Sequence, residues 1–113
     1  MLFRSVKYPF LESHPHYNIA KKQMKAGGGI ITFTVKGGYE KATAFMDKLQ
    51  MIKISPNLGD SRSIATHPAS STHCKLSEAE RLAVGILPGL IRVSIGLEDE
   101  EDILNDILQA LGN

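Results

Sequence analysis

Ile30-Ile31-Thr32-Phe33-Thr34-Val35-Lys36 alternates after its first residue: Ile31, Phe33 and Val35 fall on one side, Thr32, Thr34 and Lys36 on the other. Successive strand side chains point to opposite faces, so the stretch predicts a β-strand with one apolar and one polar face. Gly37-Gly38 breaks the pattern. From Tyr39 to Gln50 the period changes, and Ala42, Phe45, Met46 and Leu49 recur at helical spacing. That segment reads as an amphipathic helix whose apolar stripe can cover the strand's apolar face. Upstream, Gly27-Gly28-Gly29 separates the strand from a short predicted helix, Ile19 to Lys25. A phosphate loop needs glycines that open a helix, with Lys-Ser/Thr following. These glycines open a strand, so they read as a helix stop and a tight turn. Tyr8-Pro9 and His14-Pro15 hold residues 1–18 extended, with a short edge strand at 5–8.

Downstream, Met51-Ile52-Lys53-Ile54 is a predicted short strand and Ser55 to Asp60 a loop. Ser61 to Thr66 is a further strand candidate. Ser77-x-x-Glu80 is a capping box opening a helix that stops near Gly85. Gly89-Leu90-Ile91-Arg92-Val93-Ser94-Ile95-Gly96 is an apolar, β-branched strand around one guanidinium. The last helix spans Asp99 to Leu111, with Glu98 to Asp102 at the positive end of its dipole and Gly112 as terminator. Ile103, Leu104, Ile107, Leu108 and Leu111 form its expected buried stripe. The expected fold is α+β, one domain over 1–113, with a small, mostly antiparallel sheet and helices on one face.

Composition narrows the classes. The chain has 113 residues, 42% hydrophobic and 22% charged, with a net charge of +1. These values suit one ordinary globular domain. No run of 18 apolar residues is present, so no membrane span is expected. The start, Met-Leu-Phe-Arg-Ser-Val-Lys-Tyr-Pro, has neither the apolar core nor the small-residue cleavage site of a signal peptide. Cys74 is a single cysteine, which excludes an intramolecular disulfide; the cytoplasm is the expected compartment. Residues 1–53 hold nine Lys/Arg against three Asp/Glu, but these are scattered and lack interleaved aromatics. Nucleic acid is therefore not an expected partner.

Four groups of residues have chemistry to offer. His14, His16, His67, His73 and Cys74 match no standard zinc spacing, so no metal is expected. Ser70 or Ser71 with His73 lacks the Gly-x-Ser-x-Gly elbow, and hydroxyls in such loops usually bond backbone. Arg92 is the sharper case, because no acidic residue lies within five positions of it. A buried or half-buried guanidinium needs a partner. Either a distant carboxylate supplies one, or a ligand carboxylate does, held by the planar fork of donors. Asn57 and Thr72 are by themselves an ordinary turn residue and loop hydroxyl.

Four stretches taken together carry more. They are Tyr8-Pro9 with Ser13-His14-Pro15; Gly27-Gly28-Gly29 leading into Ile30-Ile31-Thr32-Phe33; Asn57-Leu58-Gly59-Asp60 with His67-Pro68-Ala69-Ser70-Ser71-Thr72-His73; and Gly89 to Glu98. In order and spacing they resemble the C-terminal domain of the Cys/Met-metabolism (transsulfuration) family of pyridoxal-phosphate enzymes. Among its members the chain is most similar to O-acetylhomoserine sulfhydrylases; methionine γ-lyases and the cystathionine γ-synthases and lyases are the alternatives.

The resemblance implies the small domain of a fold-type I, aspartate-aminotransferase-like enzyme, usually a homotetramer. It implies that the large domain with the pyridoxal-phosphate lysine is absent from this chain, and that the chain alone is inactive and binds no cofactor tightly. It implies that Arg92 grips the α-carboxylate of an O-acylhomoserine-type amino acid, with Asn57 and Thr72 beside it. Many members have serine where Asn57 stands, which leaves a backbone role there. No catalytic, cofactor-binding or metal-binding residue is expected within the chain. A free-standing binding or oligomerisation module is the competing class.

Overall fold

The computed structural model describes residues 3–57 and 60–112. Along the chain run β1 (Phe3–Lys7), α1 (Tyr17–Gln23), β2 (Ile30–Val35), α2 (Gly38–Lys48), β3 (Lys53–Ile54) and β4 (Ile64–Thr66). A 3-10 turn (Pro68–Ser70), α3 (Glu78–Ala83), β5 (Leu90–Ser94) and α4 (Glu100–Ala110) follow. The strands form one sheet in the order β1-β2-β5-β4-β3. All neighbours are antiparallel except β3 and β4, which pair in parallel. The expected α+β fold with a mostly antiparallel sheet is what the chain adopts.

Alternation decides which face is covered. Val6, Phe33 and Ile91 are cross-strand partners, and so are Ile31, Val93 and Ala65. These side chains share the face that α2 and α4 cover. Ala42, Phe45 and Met46 of α2 and Ile103 and Ala110 of α4, with Leu111 just beyond it, complete the core. The Phe33 and Phe45 rings meet edge to face, 5.5 Å apart, the arrangement ring quadrupoles favour.

Four sequence expectations need correction. Beyond Lys7 the N-terminal segment is not extended: Leu11 N, His14 N and Tyr17 N donate to Tyr8 O, Leu11 O and His14 O, a run of turns that leads into α1. Of the predicted α4 stripe, Ile103 and Leu111 are buried, but Leu104 is 55% exposed and Leu108 is also exposed. Asp106 and Ala110 are buried in their place. The helix is rotated because the Asp106 carboxylate accepts the N–H groups of Gln50 (2.8 Å), Met51 (2.9 Å) and Ile52 (2.8 Å). The same bonds shorten the 51–54 strand to Lys53–Ile54, since the preceding amides are turned towards α4. Finally, α1 ends at Met24 in extended backbone, ahead of the glycines. The glycines serve another purpose: a Cβ on Gly27 would lie 2.6 Å from the Tyr8 ring, and the Tyr8 hydroxyl donates to Gly28 O at 2.8 Å. They let the N-terminal arm lie flat on the start of β2.

At the far end of β5 the chain is fixed by a second carboxylate. Glu98 accepts from Ser63 N and Ser63 Oγ, both at 2.7 Å, and Ser63 Oγ accepts from Gly96 N at 2.9 Å. Burial works to raise the Glu98 pKa, but the bonds from Ser63 outweigh it and hold the carboxyl below its ordinary value. Gly96 has no room to grow, because a Cβ would come within 2.4 Å of the Arg62 and Ser63 backbone. Gly96→Ala should therefore force the two segments apart and destabilise the fold by about 2 kcal/mol. A urea midpoint shows this directly; an unchanged midpoint would mean that the 61–63 segment gives way freely.

Candidate carboxylate site

The face of the sheet opposite α2 and α4 is built from the other half of each alternation. Thr32, Arg92 and Thr66 stand side by side in one cross-strand row, with Lys7 at its β1 end. Rigid strands on both sides set the direction of the Arg92 side chain. Arg92 is half-buried, and its Nη2 donates to the backbone carbonyl of Pro56 at 2.8 Å. Among the described residues no acidic side chain pairs with it; the ion pair found there is Arg62–Asp60, at 3.4 Å. Of the two partners the sequence allows for Arg92, the described residues thus supply no carboxylate.

The loop that meets Arg92 is itself anchored. Thr66, buried beside Arg92, donates its hydroxyl to Ser55 O. Ser55 Oγ accepts from Asn57 N at 3.2 Å. These bonds place the Pro56 carbonyl over the β4–β5 seam, and Asn57 follows it directly. Leu58 and Gly59 of the predicted loop lie outside the described residues. Asp60 closes the loop by accepting from Arg62 N at 2.9 Å; that bond and the Arg62 guanidinium hold the half-buried carboxyl below its ordinary pKa.

Thr72 follows the 3-10 turn that comes after β4. It is exposed, and its hydroxyl bonds His73 Nδ1 at 2.8 Å. The structure therefore joins Arg92 to the loop of Asn57 and places Thr72 just past the 3-10 turn that packs on β5. It shows no hydrogen bond from Thr72 to either of the other two.

A residue to which the sequence assigned no role in the carboxylate site is buried at the end of β4. His67 is 3% exposed. Its Nε2 lies 2.6 Å from Pro88 O and its Nδ1 2.8 Å from Ser70 Oγ. Serine and histidine do meet here, but the pair is Ser70 with His67 rather than Ser70 or Ser71 with His73. In sequence His67 stood out only as a metal-ligand candidate and as part of the His67 to His73 stretch. No three His, Cys, Asp or Glu side chains among the described residues are placed to share a metal ion. No helix among them is long and apolar enough to cross a membrane.

A half-buried guanidinium on a strand, with hydroxyls beside it and no carboxylate partner among the described residues, suits an anionic ligand group. Comparison with known proteins identifies the setting. A family model for Cys/Met metabolism PLP-dependent enzymes matches residues 3–112. The chain belongs to this family. An L-methionine gamma-lyase from Fusobacterium nucleatum is 46% identical over 106 residues, covering 94% of this chain and 27% of that protein. An O-acetyl-L-homoserine sulfhydrylase from Leptospira meyeri is 44% identical over 110 residues, 96% of this chain and 25% of that protein. In the crystal structure of cystathionine gamma synthase from Xanthomonas oryzae pv. oryzae, with aminoacrylate and cysteine, the corresponding region superposes with a TM-score of 0.90. That match is 37% identical and covers 98% of this chain and 29% of the solved one. The fold is thus that of part of a fold-type I pyridoxal-phosphate enzyme. The chain spans about a quarter of the length of the curated relatives it matches.

Proposed function

We propose that this chain is the substrate-binding C-terminal domain of a pyridoxal-phosphate-dependent sulfhydrylase acting on an O-acylhomoserine. In this reading Arg92 holds the substrate α-carboxylate, the 55–57 loop forms one wall, and Thr72 edges the pocket. The observation that carries it is the Arg92 side chain itself, fixed on its strand, pointed by the Pro56 carbonyl, and paired with no acid among the described residues.

The residues fit the substrate side of such a site and not the cofactor side. All nine lysines are exposed. A lysine that carries a carbonyl cofactor is usually desolvated or set beside another cation. The lysine and the phosphate contacts then belong to a partner domain, and pyridoxal phosphate there supplies the electron sink for chemistry at the amino acid's Cα and Cβ. This domain's contribution is orientation: a carboxylate gripped by a fork leaves the amino acid one way to lie. The likeness to O-acetylhomoserine sulfhydrylases favours replacement of the γ-substituent by a sulfur nucleophile.

The test uses the enzyme that contains these residues together with its cofactor domain. Given O-acetylhomoserine and sulfide, it should form homocysteine. The 113-residue chain alone should form none, and as purified should show no absorbance band of a bound pyridoxal-phosphate aldimine. Failure of the enzyme to release acetate from O-acetylhomoserine would overturn the reading, as would turnover by the chain alone.

A further inference from the structure

We propose that His67 is the positioning residue of the carboxylate site: one buried imidazole ties the strand that carries Arg92 to the turn that carries Thr72. The inference rests on the reading of Arg92 as the carboxylate grip. Pro88 O can only accept, so the 2.6 Å contact makes Nε2 the protonated nitrogen of His67. Nδ1 meets the Ser70 hydroxyl at 2.8 Å, and the same hydroxyl lies 3.3 Å from His67 O. Both ring nitrogens are thus engaged, with the Nε2 proton held by Pro88 O. The Tyr39 ring closes over it at 5.0 Å between centroids.

Each end of this clasp leads to the site. On one side His67 follows Thr66, the cross-strand neighbour of Arg92 that also anchors Ser55. The backbone oxygen of His67 accepts from Ser71 Oγ at 2.8 Å and from Ser70 N at 3.1 Å, which sets the turn leading into Thr72. On the other side Pro88 precedes Gly89, whose carbonyl accepts from Val35 N at 2.9 Å and starts the register of β5. Loosening Pro88 frees the start of the Arg92 strand, and loosening Ser70 frees the Thr72 turn. A site formed in only a fraction of the molecules binds its ligand more weakly by that fraction.

Two amide side chains separate the two bonds. Gln at 67 places an N–H near the Nε2 position, and Asn places its amide near Nδ1. In the full enzyme, His67→Asn loses the bond to Pro88 and should raise KM for the amino-acid substrate about tenfold, with a smaller change in kcat. His67→Gln should recover most of that rise. Ser70→Ala should raise KM only about threefold, because the Pro88 bond survives. Equal KM values for Asn, Gln and wild type would overturn the proposal, and so would an equal rise in the Asn and Gln variants. Long-range proton–nitrogen NMR on the wild-type enzyme or chain reads the tautomer without any assay. A bare Nε2 would overturn the proposal even if the variants fail to fold. Arg92→Lys in the same assay separates the two ideas. If it leaves KM unchanged, the carboxylate reading fails; if it raises KM while His67→Asn does not, only the clasp fails.

Discussion

Arg92→Lys lowers kcat/KM for an O-acylhomoserine by about 100-fold in the full enzyme, because one charge-assisted hydrogen bond of a two-pronged grip is worth about 1.5–3 kcal/mol. Lysine keeps the charge but offers a single rotating ammonium in place of a rigid fork. Arg92→Leu removes both prongs, leaves the Pro56 carbonyl without its donor, and should cost about 1,000-fold or more. The losses should be specific to the carboxylate. A substrate analogue with an α-amide has no anion to grip, so the wild type should handle it poorly and the Arg92→Leu variant hardly worse. The pair of enzymes and pair of substrates form a double-mutant cycle that isolates the contact from any general loosening. A cycle in which the analogue loses as much as the substrate would show that Arg92 supports the fold rather than the ligand. Arg92 is half-buried and its strand neighbours are hydroxyls, so the leucine variant should still fold and its melting temperature can be compared directly.

The same residue marks the border of what the sequence makes legible. That Arg92 is out of place in an apolar strand is visible from its neighbours. That its partner is the Pro56 carbonyl, 36 residues away, is not, because a backbone acceptor has no letter of its own. Much of the burial in β2 and α2 follows from periodicity: Phe33, Val35, Ala42, Phe45 and Met46 are in the core as their spacing requires, although Thr34, on the polar side of the alternation, is buried as well. The stripe of α4 is harder. Ile and Leu at 103, 104, 107, 108 and 111 are compatible with more than one rotation of the helix. The choice is made by a carboxylate, Asp106, whose acceptor role depends on three amides 54 to 56 residues away. His67 is hidden for the same reason, since Pro88 lies 21 residues downstream. Local pattern reports which face is apolar; it does not report which polar group will be taken inside. The resemblance to transsulfuration enzymes names residues of the site, Arg92, Asn57 and Thr72, without showing the bonds that hold them.

Asp106 is where the fold is most easily broken. Its carboxylate takes three backbone N–H groups and the Gln109 amide, at 2.9 Å, at a buried junction between α4 and the end of α2. Asp106→Ala leaves these donors unanswered, and the Ile52 N–H has no access to water in its place. The expected loss is about 4 kcal/mol, a large part of the stability of a small domain. Asp106→Asn keeps the shape but turns an amide N–H₂ towards other donors, and should cost about 2 kcal/mol. Acid reveals the charge itself. Burial pushes the Asp106 pKa up, yet the N–H groups of Ile52, Gln50 and Met51 outweigh it and leave the carboxyl below its ordinary 3.8. A group whose pKa is depressed by folding stabilises the native state above its unfolded pKa. That stability is lost as pH falls through the native value. Urea midpoints of the wild type should therefore drop as the pH is lowered below about 4. The Asp106→Asn variant, weaker at neutral pH, should drop less over the same range, with the remaining slope carried by carboxyls such as Glu98. A variant that loses stability in acid as steeply as the wild type would show that Asp106 holds α4 in place by shape alone.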